Sequence, residues 1–173
     1  MPGPADEPAY AVDVTYIATN GWTTQELAAG IAQRRQGLTP PYDLVSLLIG
    51  VNNQFRGAPV SSYPRQLRGL LDTAIELAGG DRSKVFMVSI PDYAFTPFGQ
   101  SRPGVSEGID AYNAAGAEVA AEYGIPFYDI TPISREGLNQ PELVASDRLH
   151  PSGEQYRLWV EGVLLAPVRG LLE

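Results

Sequence analysis

The sequence predicts an α/β fold, a three-layer α/β/α sandwich built on a parallel sheet. Three observations predict it. Strand-like and helix-like segments alternate along the chain, one apolar run is nearly continuous, and the helical segments each carry a single apolar stripe. Alternation of this kind requires crossover helices packed on the faces of a sheet whose strands run the same way.

Residues 10–18, YAVDVTYIA, alternate apolar and polar and are rich in β-branched and aromatic side chains, the pattern of a strand. Residues 22–36 follow with helical spacing. Thr23 or Thr24 offers a cap, and Leu27, Ala28 and Ile31 share a face. Gly37 and Pro40-Pro41 interrupt the chain. Residues 43–49, DLVSLLI, read as a strand buried on both faces and stopped by Gly50. A second helix is predicted over 61–78, where Leu67, Leu70, Leu71, Ala74 and Ile75 fall on one stripe before Gly79-Gly80. Strand 84–90, KVFMVSI, leads into a loop rich in aromatics and prolines. Helix 105–123 is capped by Gly124, and strand 125–130, IPFYDI, comes next. A Ser/Asp-rich loop then precedes a last helix over 151–165. No internal repeat or linker divides the chain, so 1–173 reads as a single domain, in keeping with a prior of roughly 150 residues per domain.

Composition narrows the function. The net charge is −8 and the 12 basic residues are scattered, which disfavours nucleic acid and anionic membranes. The absence of cysteine excludes disulfides and thiolate metal sites. With one histidine, a metal site is not expected, and neither is a cofactor. No apolar run reaches the roughly 20 residues needed to span a bilayer. Met1 to Glu7 lacks a signal-peptide pattern, so the chain as it stands reads as soluble and cytoplasmic, with its original compartment open.

In open parallel sheets chemistry collects at the carboxyl ends of strands. Three loops there carry suitable groups. His150, the single imidazole, follows Asp147 by three residues in SDRLHPSG. A serine-hydrolase mechanism needs an imidazole to take a proton and a carboxylate to fix its tautomer. By itself the Asp-x-x-His spacing is a weak pattern that fits a capped turn and a surface histidine better. Gly21 lies at the bend after the first strand, and Asn52 lies in LIGVNNQ after the second. A Gly21 N–H and the Asn52 amide are suitable donors to a developing oxyanion. A glycine needed for positive φ and an asparagine in a turn are the simpler accounts of each. Their position on one sheet edge favours a shared site. The loop holding Tyr93, Phe95, Pro97 and Phe98 is a candidate acyl-binding surface or a packing lid.

The chain resembles the SGNH (GDSL) hydrolase family. That family's second block supplies a glycine, its third reads G-x-N-D and its fifth reads D-x-x-H. Gly21, then Gly50-Val51-Asn52-Asn53, then Asp147 and His150 match these in order. The phrases LIGVNNQ, SIPD, TPISR and LHPSG are similar to its bacterial esterase branch. The resemblance runs from Tyr10 to Trp159, with Asn53 where aspartate is common. It implies a flavodoxin-like strand order 2-1-3-4-5, a small-molecule ester substrate, His150 as general base oriented by Asp147, and Gly21 with Asn52 as the oxyanion hole.

One block departs from the pattern. The family's G-D-S nucleophile ends a strand upstream of the glycine block, and no serine precedes Gly21 here. Gly80-Asp81-Arg82-Ser83 is a decoy, with an extra residue and a strand after it instead of before it. Ser89 reads as a core hydroxyl, Ser152 as a helix cap and Ser146 as part of the turn. The expected fold is therefore the family sheet without its first strand, N-terminally truncated. Residues 10–18 are then expected to re-pair with 43–49, or with a second copy in a homo-oligomer. Two functions follow: a carboxylic ester hydrolase acting without the usual serine, or a catalytically impaired remnant or ligand-binding module.

Overall fold

The computed structural model describes residues 11–172. Its sheet has three parallel strands in the order β1 (Val45–Leu47), β2 (Val85–Val88), β3 (Phe127–Tyr128). Val45 stands opposite Val85, and Met87 opposite Phe127. These strands are the sequential right-hand part of the order implied by the resemblance. The sheet is flanked by helices on both faces, as the alternating pattern requires.

On one face Leu47, Val85 and Met87 pack with α1 (Thr24–Arg34), α3 (Tyr63–Leu77) and α4 (Val105–Tyr123). The α3 stripe read from the sequence is the buried one, with Leu67 and Leu71 fully inaccessible. Each such leucine contributes on the order of 1.5–3 kcal/mol. On the opposite face Phe86 and Val88 meet Ile130 and Trp159. Trp159 ends α6 (Gly153–Trp159), which continues through a π turn at Val160–Leu164 into α7 (Leu165–Arg169). The last helix therefore starts at Gly153 and runs past the predicted end at residue 165.

Two expectations need correction. Tyr10 lies outside the described residues, and residues 11–18 form no strand. Among the described residues β1 pairs only with β2, so the predicted pairing of 10–18 with 43–49 is not present within the chain. Without a hydrogen-bonded neighbour the alternating pattern cannot hold a strand. Val12, Val14 and Tyr16 instead stand in solvent at 76%, 54% and 78% exposure, and the Tyr16 carbonyl accepts from Arg34 Nη1 at 3.0 Å. The strand within 43–49 is also shorter than expected and is not buried on both faces. The C-terminal helices cover β2 and β3, which leaves Ser46 and Leu48 exposed.

One glycine fixes how β1 enters the loop beyond it. Gly50 has φ 126°, and a Cβ there would lie 2.9 Å from Tyr63 Oη. That hydroxyl donates to the Ile49 carbonyl at 2.8 Å. The end of β1 is thus tied to the first residue of α3. The chain then turns directly into a short helix, α2 (Val51–Phe55), where the sequence predicts a loop.

Candidate active site

The loop before α6 is shaped by Asp147. One of its carboxylate oxygens accepts the backbone N–H groups of Leu149 and His150, both at 3.0 Å. Its other oxygen lies 2.6 Å from His150 Nδ1. Arg148 closes the turn in the left-handed region at φ 68°. An Ala145 N–H bond to the His150 carbonyl and a Val144–Pro151 bridge brace the base of the loop. The backbone bonds from His150 and Leu149, followed by the imidazole bond, pull the Asp147 carboxyl down to about 2. It is therefore ionised at neutral pH. An ionised carboxylate only accepts, so Nδ1 carries the proton and Nε2 is left with its lone pair.

Gly21 and Asn52 are held together by neighbours that the sequence reading did not single out. Gly21 turns at φ 85°, and its carbonyl accepts from Arg56 Nη2 at 2.5 Å. Arg56 is itself paired with Glu26 at 3.1 Å. Glu26 completes a capping box with Thr23 at the start of α1. The Asn52 Nδ2 group spends one N–H on the Trp22 carbonyl at 3.0 Å, which leaves its second hydrogen available. Asn53 is buried and binds Thr24 twice, accepting from its backbone N–H at 3.0 Å and donating to its hydroxyl at 2.8 Å. The Thr24 hydroxyl in turn donates to Gln66 on α3 at 2.5 Å. Thr23-x-x-Glu26 was the one readable sign of this lattice. The contacts of Arg56 and Asn53 span about thirty residues and have no local signature.

Gly21, Asn52 and His150 line one cavity of about 510 Å³. Its walls are largely apolar, with Ile17, Trp22, Leu48, Phe55 and Trp159 among them. On its lining helix α6, Gln155 Oε1 and Trp159 Nε1 are buried without a partner. Of the three residues expected to bind substrate, Tyr93 lines the cavity and donates its hydroxyl to Gln54 at 2.8 Å. Phe95 and Phe98 do not line it. Phe98 lies outside the lining, stacked with Phe55 at 6.1 Å between centroids.

Ser83, Ser89, Ser134 and Ser152 have structural partners. Ser89 is buried, donating to Asp129 at 2.8 Å and accepting the Ile130 N–H at 2.9 Å. Ser152 caps α6 through Gln155 and donates to the Glu142 carbonyl. Ser146 lines a separate small cleft beside Arg148. Ser83 is held by Asp81 in a turn before β2, which accounts for the decoy. Ser134, not singled out from sequence, lines the cavity, with its hydroxyl engaged by the Thr131 carbonyl and the Asp92 N–H. Among the described residues no group of three or more His, Asp or Glu side chains is placed to hold a metal. No helix among them is long and apolar enough to cross a membrane.

No curated protein matches the chain in sequence. Solved structures do resemble it. An α/β hydrolase from the metagenome of Lake Arreo, Spain, superposes with a TM-score of 0.63 at 21% identity, over 88% of this chain and 70% of that one. An acetylxylan esterase from Geobacillus stearothermophilus gives 0.62 at 23% identity, over 87% and 68%. A lipase/acylhydrolase from Enterococcus faecalis gives 0.62 at 23%, over 88% and 71%. These likenesses establish the fold. The family model of the GDSL-like lipase/acylhydrolases matches residues 5–158, most of the chain, and to that family the chain belongs.

Proposed function

We propose that the chain hydrolyses carboxylic esters, with His150 as general base, Asp147 as its orienting partner, and Gly21 with Asn52 as oxyanion donors. The observation that carries this is the shared cavity: Gly21, Asn52 and His150 all line it, and Asp147 holds the imidazole through Nδ1. An ester carbonyl in the cavity meets a proton acceptor and two donors.

These residues can by themselves carry one hydrolytic step, the activation of water by His150. His150 Nε2 takes a proton from water as its oxygen bonds to the carbonyl carbon. The carbonyl oxygen gains the negative charge, which the Gly21 N–H and the second Asn52 N–H stabilise. Collapse breaks the carbon–oxygen bond, and the imidazolium returns the proton to the departing alcohol. A base of this type contributes about 10²–10⁴-fold. The test is hydrolysis of a short-chain aryl ester by the purified chain and by His150→Ala. A loss of that order supports the assignment, and equal rates end it.

The engaged hydroxyls of Ser134 and Ser152 favour a second reading, a ligand-binding protein that retains the pocket without turnover. It predicts ligand binding with no ester hydrolysis above buffer.

For assembly, we propose that residues 11–17 of one copy pair with the free edge of β1 in a second. Val12, Val14 and Tyr16 alternate and are exposed, and that edge has no partner among the described residues. Sedimentation equilibrium should show a dimer that Val14→Pro abolishes, because proline removes a ladder N–H. A monomer at every concentration rejects the pairing.

A further inference from the structure

One cation, Arg102, lies against Phe55, a residue of the cavity wall. Two arginines near the site face carboxylates: Arg56 is paired with Glu26, and Arg135 with Asp92 and Asp110. The Arg102 guanidinium lies instead over two aromatic rings, with Cζ 4.3 Å from the centroid of Phe98 and 5.5 Å from that of Phe55. No carboxylate among the described residues forms an ion pair with it. Stacking fixes the plane of a guanidinium and leaves its N–H edge free, an arrangement suited to a carboxylate.

The position of this group relates it to the site. Phe55 ends α2, the helix that bears Asn52, and it lines the cavity. Phe98 donates its backbone N–H to the Arg148 carbonyl at 3.1 Å, inside the Asp147–His150 turn. The two rings, 40% and 36% exposed, therefore bridge the element with the oxyanion donor and the loop with the base. Arg102 sits on that bridge. Within the cavity the acidic side chain is Asp92, which is fully buried and engaged by Arg135. An anionic group beside Phe55 thus meets an ordered cation on an aromatic platform, in a protein whose net charge of −8 otherwise repels it.

We infer that Arg102, seated on Phe55 and Phe98, is a specificity-determining residue for esters that carry a carboxylate outside the apolar cavity. This rests on the hydrolase reading for the word ester, but the anion subsite can be measured without turnover. Isothermal titration calorimetry of the full chain with 4-hydroxybenzoate and with its neutral analogue 4-hydroxybenzamide reads the charge preference directly. The wild type should bind the carboxylate more tightly, with an advantage that shrinks as salt rises. Arg102→Met should weaken the carboxylate by about ten-fold and leave the amide within about two-fold. Arg102→Lys should restore part of the loss, and Arg65→Met, which removes an exposed charge on α3, should change neither. Circular dichroism establishes that each variant is folded. Equal affinities of the wild type for the two ligands overturn the inference, as does an equal loss of both in Arg102→Met. Rates on 4-acetoxybenzoate and 4-acetoxybenzamide separate the two readings. A chain that discriminates in binding but hydrolyses neither ester keeps the anion subsite and loses the hydrolase reading. One that hydrolyses both alike without discrimination in binding loses the subsite alone.

Discussion

Asp147 holds His150 twice, through the imidazole Nδ1 at 2.6 Å and through the backbone N–H at 3.0 Å. The same carboxylate that shapes the turn also sets the imidazole tautomer. Local structure and chemistry are therefore coupled in one side chain, and the two roles can be separated by substitution.

Asp147→Asn retains an oxygen able to accept the two backbone N–H groups but offers Nδ1 an amide. The turn should survive, with thermal unfolding little changed. Ester hydrolysis should fall by about 10²–10⁴-fold because the wrong tautomer is favoured. Loss of folding along with rate, or an unchanged rate, contradicts the assigned role.

The lowered Asp147 carboxyl makes a pH prediction with a definite sign. Its folded value of about 2 lies below the ordinary 3.8, so the stability it contributes is present above pH 4 and is lost as pH falls toward 2. The gap in melting temperature between wild type and Asp147→Ala should be present at about pH 5 and should close between about pH 4 and 2. A gap that persists through that window shows that these bonds are not what lowers the carboxyl.

Arg56 braces the carbonyl of Gly21, the residue proposed as an oxyanion donor. Arg56→Met removes the bond to the Gly21 carbonyl and the pairing with Glu26, both at exposed positions. Stability should change by less than about 1 kcal/mol. The turnover number should fall by about ten-fold or more, since small displacements of an oxyanion donor are costly. Rates and urea melts measured side by side check this split.

Gly50→Ala tests the join between β1 and α2. The added Cβ would face Tyr63 Oη at 2.9 Å from a backbone at φ 126°. The expected destabilisation is about 1–3 kcal/mol by denaturant unfolding. A neutral effect would mean that the Tyr63–Ile49 bond does not fix this turn.

Much of this arrangement was legible in the sequence, and for reasons that can be named. Helix 105–123 was readable to the residue because glycines flank it, each at positive φ. The Asp147–His150 pair lay within one turn, and local spacing was enough to suggest it. Residues 10–18 misled because alternation reports a strand's faces, not whether a neighbour exists to pair with it. Phe98 stands beside the cavity, stacked on Phe55, which comes from another element and takes the place on the wall. Arg56 and Asn53 were invisible as positioning groups because their partners come from α1 and the loop before it.

Gly21, Asn52 and His150 are proposed to act on one carbonyl. A crystal structure of the chain with a bound short-chain carboxylate product would show whether they do. One carboxylate oxygen should lie about 3 Å from both Gly21 N and Asn52 Nδ2, with the other facing His150 Nε2. A carboxylate seated elsewhere, or an imidazole turned out of the cavity with the product in place, would contradict the account.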